Sequence, residues 1–95
     1  MIQHSNSALV FTNHALKRMC ERRIERRAAE VAFHYGTPSR QENDAATTFT
    51  MDYAACERMR GDSTAPNAYA CFGVRIVVIN ENVVKTVYVK EEVAA

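Results

Sequence analysis

The sequence predicts an α+β fold in which N-terminal helices pack on an antiparallel sheet of three or four strands. Three observations carry that reading. Apolar residues recur at helical spacing from Leu16 to Tyr35. Two β-branched runs, Val74 to Ile79 and Val83 to Val89, are separated only by Asn80, Glu81 and Asn82, which marks a hairpin. Thr47, Thr48, Phe49 and Thr50 supply a further strand by β-branching. A chain of 95 residues can bury one core, so residues 1–95 are read as a single domain.

Met1 to Ser7 is polar and reads as a loose lead-in, and Ala8 to Phe11 as a short apolar arm or edge strand. Thr12 or Asn13 offers a side-chain oxygen to the free N–H groups of a helix start. Leu16, Met19, Cys20 and Ile24 follow at helical spacing, with Leu16 and Met19 expected in the core. Ala28, Val31, Ala32 and Tyr35 continue the stripe. Nothing in Arg22 to Arg27 breaks a helix. The periodicity therefore permits one helix from His14 to His34, or two that meet near Ile24 and Glu25.

Gly36 fits the C′ position past a helix end, which is usually left-handed, and Pro38 blocks resumption. Asp52 can cap a short helix through Tyr53, Cys56, Met59 and Arg60 that ends at Gly61, and Asp62 to Asn67 reads as a loop. In the last strand, alternation puts Val83, Lys85, Val87 and Val89 on one face and Val84, Thr86 and Tyr88 on the other. Apolar residues on both faces place the hairpin centrally in the sheet, with helices over one side.

No apolar stretch approaches the ~20 residues that span a bilayer, and no basic segment followed by an apolar one marks a secretion signal. A cytoplasmic protein without membrane contact is expected. Cys20, Cys56 and Cys71 are odd in number and widely spaced, so three reduced, mostly buried thiols are expected rather than disulfides or a zinc site. The three histidines lack the carboxylate spacing of a metal site, and neither metal nor cofactor is expected. Net charge is +1 but unevenly spread: residues 14–40 carry seven basic and three acidic side chains, residues 41–95 five basic and eight acidic. A basic front third can steer an anionic partner such as RNA. Lys17, Arg23, Arg26 and Arg27 are the expected contacts, unless they form only a solvated helix face.

His14, Ala15, Arg18, Met19, Arg22 and Ile24 form a His-Ala-x-x-Arg-Met-x-x-Arg-x-Ile pattern, and Val84 to Tyr88 a Val-x-Thr-Val-Tyr strand. In order and spacing, residues 11–36 and 72–90 resemble a family of small bacterial domains of unknown function linked to RelE-like and BrnT-like toxins. Members often carry glycine before the isoleucine, where this chain has Arg23. The resemblance implies a RelE-like arrangement of two N-terminal helices followed by an antiparallel sheet. It also implies a toxin-type ribonuclease that cleaves RNA without metal.

Such cleavage needs a base, an acid and cations at the phosphate. His14 can serve as base or acid. Arg18 and Arg22 lie one and two turns on and can donate paired hydrogen bonds to a phosphate. Tyr88 can add a hydroxyl. Arg18 alternatively pairs with Glu21 or Glu30, or clamps strand carbonyls. The competing reading is a non-enzymatic interaction module of the same fold, monomer or homodimer, that binds a protein partner such as an antitoxin.

Overall fold

The computed structural model describes residues 9–40, 45–62 and 68–90. The loose lead-in expected for Met1 to Ser7 and most of the loop expected for Asp62 to Asn67 lie outside these residues. Strand β1 (Val10–Phe11) leads into helices α1 (Asn13–Arg22) and α2 (Arg26–Tyr35), then strands β2 (Thr37–Arg40) and β3 (Thr47–Thr50). Helix α3 (Tyr53–Arg60) and a 3-10 turn (Ala68–Cys71) precede strands β4 (Val74–Ile79) and β5 (Val83–Val89). The strands form one sheet in the order β1-β5-β4-β3-β2.

The α+β class holds, but the sheet has five strands and is mixed. β2 through β5 are antiparallel neighbours, while β1 runs parallel to β5. The bonds from Val10 N to the Asn82 carbonyl (2.9 Å) and from Thr12 N to the Val84 carbonyl (3.1 Å) hold β1 in place. A two-residue strand has no periodicity, and its partner lies far along the chain, so pattern reading gives it no direction. β1 meets the expectation of an edge strand within Ala8 to Phe11, whereas the sequence carries no strand signal for β2. Its residues are polar, and Pro38 fits there because β2 is an edge strand.

The N-terminal segment forms two helices, and the break lies at Arg23. Thr12 caps α1 by accepting from Ala15 N through Oγ1 (3.0 Å). At the other end Arg23 takes left-handed angles (φ 57, ψ 42). The Arg23 N–H donates to the Cys20 carbonyl (3.3 Å), and the Ile24 N–H to that of Met19 (2.9 Å). This pair of bonds is a Schellman motif, and Ile24 packs into the core beside Met19 as the motif favours. A non-glycine residue in this conformation is held at a cost of about 1 kcal/mol. Arg23→Gly is therefore expected to raise stability by about 1 kcal/mol, or roughly 4–8 °C in Tm for a domain of this size. A thermal melt of the two proteins checks it.

α1 lies over β5, and α2 over β4 and β3, all on one face of the sheet. Ala15 and Met19 are the buried residues of α1, while Leu16 is 42 % exposed, which corrects its expected core position. The alanine lets α1 sit close to β5, and Leu16, about 100° further round the helix, turns outward. Val74, Ile76 and Val78 of β4 face the helices and are buried. The core is completed by Met51, Met59, Cys56, Val84 and Val87, all fully enclosed.

The face assignment in β5 needs correction as well. Opposite β4 the register runs Val77↔Thr86 and then Val78↔Val84, so Lys85 is an extra residue in a β-bulge. The bulge inverts the alternation. Val84 and Val87 both turn into the core, while Lys85 is exposed.

α3 follows the sequence reading: Asp52 Oδ1 accepts from Ala55 N (2.9 Å) at its start, and Gly61 closes it. Asp52 Oδ1 also accepts from Thr37 (3.0 Å), which ties α3 to β2. Arg58 reinforces the joint by donating to the Tyr35 carbonyl (2.8 Å) and the Thr37 hydroxyl (3.0 Å). The Tyr35 hydroxyl donates to Asp62, and that hydrogen bond, more than desolvation, raises its pKa above the usual 10.0. Gly36 is not left-handed as a C′ glycine would be; its angles are φ −62 and ψ 152, and its role lies in close packing.

Candidate nucleic-acid interface

The expected catalytic group does not gather at one point. His14 stands exposed in the first turn of α1. Arg18 is occupied by Glu21 on the same helix (2.9 Å), one of the partners expected from spacing. Arg22 donates through Nη1 to the Val87 carbonyl (3.1 Å), so the clamp on a strand carbonyl is made by Arg22 and not Arg18. That carbonyl lies beyond the reach of β1, where β5 would otherwise present an open edge. Eight residues separate His14 from Arg22, about 12 Å along the helix axis. Proton transfer needs heavy atoms within about 3 Å.

Tyr88 lies on the far side of the sheet. Its register partner is Arg75, and both belong to the face opposite Val87 and the helices. There a hollow of about 210 Å³ is lined by Thr37, Thr50, Asp52, Arg75 and Lys90. Arg75 was not singled out from sequence, although its place between buried Val74 and Ile76 puts it on the outward face by alternation.

What does converge is the corner between α1 and α2. Arg22, Arg23, Arg26 and Arg27 bring four guanidinium groups within six residues, and all four are exposed. The left-handed turn at Arg23 wraps them around the helix junction. Arg26 lies over the Phe11 ring, 4.8 Å from its centroid, which orients it by cation–π attraction. Among the described residues, the guanidinium groups of Arg23 and Arg27 make no hydrogen bond or ion pair. Lys17 is exposed on α1.

Beside this corner opens a cleft of about 400 Å³. Arg22, Arg23, Arg27 and Glu25 form its polar rim, and Ile24, Ala28, Val31 and Val74 its aliphatic floor. Val89 and Cys71 stand in the wall. Burial pushes the Cys71 thiol pKa up; Arg27 opposes the shift and Glu25 adds to it. Cys71 is thus a thiol rather than an activated thiolate. Cys56 is buried, with its pKa also raised, first by burial. Cys20 is exposed, contrary to the expectation of mostly buried thiols. Sequence reading missed Glu25 and Cys71 as site residues, because neither carries a spacing signal toward the arginines.

Among the described residues no three metal-binding side chains come together, and no helix is long and apolar enough to cross a membrane. No protein-family model matches this chain, and no curated protein or solved structure matches it significantly.

Proposed function

We propose that this chain is an RNA-directed domain of RelE-like type that engages the RNA backbone through the corner between α1 and α2. The observation that carries the reading is the set of four exposed guanidinium groups at that corner, two of them without a polar partner among the described residues. Unpaired cations crowded on one turn repel one another and gain most from a polyanion. Planar guanidinium groups also match phosphate geometry. Support comes too from Arg23. A non-glycine residue stands in left-handed conformation where glycine would be easier, and such outliers cluster at functional sites. The succession of α1 and α2 followed by the antiparallel strands β2 to β5 supports the RelE-like reading, although β1 pairs parallel to β5 and α3 stands between β3 and β4.

Cleavage is the second reading, favoured by the exposed imidazole of His14. It is the weaker one, because Arg18 is paired, His14 is about 12 Å from Arg22 along the helix, and Tyr88 is on the opposite sheet face.

Titrating labelled single-stranded RNA at salt from about 50 to 200 mM tests both. Affinity is expected to fall steeply with salt. The double variant Arg23→Gly/Arg27→Ala is expected to reduce the log–log slope by about 1.4, the value for two lost phosphate contacts on a single strand. Because Arg23→Gly is expected to stabilise the fold, weaker binding would not reflect unfolding. No binding at the lowest salt, or an unchanged slope in the double variant, sinks the RNA reading and leaves the corner to an acidic protein partner. The same mixtures, held in chelator and run on a denaturing gel, decide cleavage. RNA cut by wild type and spared by His14→Ala supports a ribonuclease, and intact RNA in both leaves a binding domain.

A further inference from the structure

We infer that the cleft beside the α1–α2 corner accepts one unpaired nucleotide of a single-stranded RNA, with its base on the aliphatic floor and its flanking phosphates on Arg22, Arg23 and Arg27. The inference rests on the RNA reading above and adds the form of RNA that is recognised. A plain basic patch needs only cations, and this corner has more. Ile24, Ala28, Val31 and Val74 line the same cleft as the arginines Arg22, Arg23 and Arg27 and give it an aliphatic floor. Its volume of about 400 Å³ falls within the range of small-ligand sites.

A phosphate gains nothing from an aliphatic floor. A duplex keeps its bases stacked inside and offers the corner only its backbone. An unpaired nucleotide can turn its base outward, remove apolar surface from water and lie against a guanidinium plane. Arg22 is suited to that contact. Its Nη1 is held by the Val87 carbonyl, which fixes the plane and leaves its other N–H groups to donate. Among the described residues, Glu25 is the one carboxylate on the rim. It repels a phosphate, directing the backbone to the arginines, and it can accept from a base amino group.

The half-exposed Cys71 in the wall gives the test a direct reporter. The protein carries Cys20→Ser, which removes the exposed thiol. Three probes are compared: a single-stranded oligoribonucleotide, the same strand with abasic riboses, and its duplex. The abasic strand keeps every phosphate and loses the bases. The intact strand is expected to bind about tenfold tighter than either of the others, the effect of removing roughly 55 Å² of apolar base surface from water. It is also expected to slow alkylation of Cys71 by iodoacetamide, which the abasic strand does not. Ala28→Leu and, independently, Val89→Phe fill the cleft from different elements. Each is expected to bring the intact strand down to the abasic affinity while leaving the abasic affinity unchanged. Equal binding of all three probes with no protection of Cys71 overturns the inference and leaves the RNA reading standing. Failure of all three to bind removes both.

Discussion

Gly36→Ala is expected to destabilise the protein by about 3 kcal/mol, the upper part of the range for forcing a group into a packed site. A Cβ at Gly36 would lie 2.3 Å from the Ala32 carbonyl oxygen, 3.2 Å from Phe49 Cβ and 3.2 Å from Thr50 N. The first and last of these are backbone atoms, so no rotamer change relieves them. Gly36 N–H already donates to that same Ala32 carbonyl (2.8 Å), closing the last turn of α2. The chain then passes directly against β3, and Phe49 there meets Phe33 of α2 edge-on at 5.2 Å. Relief would require α2 to lift from the sheet, which opens this contact and the burial of Val31 and Ala32. The backbone angles of Gly36 suit any residue, so the loss arises from steric contact alone. Urea denaturation of Gly36→Ala and Gly36→Ser against wild type measures it. A loss under 1 kcal/mol in the alanine variant would contradict this packing.

Where local chemistry decides an element, the sequence told it plainly. Thr12 and Asp52 each cap a helix with their own oxygen, and Gly61 closes α3, because caps involve residues three or four apart. The β4–β5 hairpin was equally legible from two β-branched runs joined by a short connection, in which Asn80 (φ 49) and Glu81 (φ 72) take left-handed angles. What stayed hidden depends on distant partners. β1 acquires its direction only from β5, and polar β2 is a strand only because β3 pairs with it.

The helix break belongs between these cases. Periodicity allowed one helix or two, and the choice fell to the side-chain docking of Ile24 beside Met19. The candidate site followed the same division. Its basic character was visible in the run Arg22 to Arg27, but the geometry that turns the run into a corner needs a left-handed Arg23, a conformation that arginine rarely adopts. The grouping of Tyr88 with His14 failed for another reason: shared strand periodicity says nothing about which sheet face lies under which helix.

Arg23 links stability to the proposed function. Glycine there would lower the strain of the turn but remove one of the two guanidinium groups that lack a polar partner among the described residues. A more stable protein that binds RNA less well is the expected signature of a residue kept for its charge.

The bulge at Lys85 yields the other large expected effect. Val84→Asp and Val87→Asp should each destabilise by about 3–5 kcal/mol, the penalty for an uncompensated charge in a core. Against a total of about 5–15 kcal/mol for a domain, either variant would be extensively unfolded at modest denaturant. Both valines are fully enclosed, opposite Val78 and Ile76 respectively, and no buried polar residue among those described could partner a carboxylate. Lys85→Asp, at an exposed position between them, should change stability by no more than about 0.5 kcal/mol. Strict alternation forbids this pattern, because it puts residues 84 and 87 on opposite faces. Only an extra residue between them lets both face the helices. The acid limb offers an internal check. A carboxyl group sealed in the core has a raised pKa, so protonation removes its charge as pH falls, and the deficit of both aspartate variants should shrink toward low pH. Equilibrium denaturation at neutral and acidic pH reads both effects. A tolerated Val84→Asp beside a damaging Val87→Asp would mean that the strand alternates without a bulge.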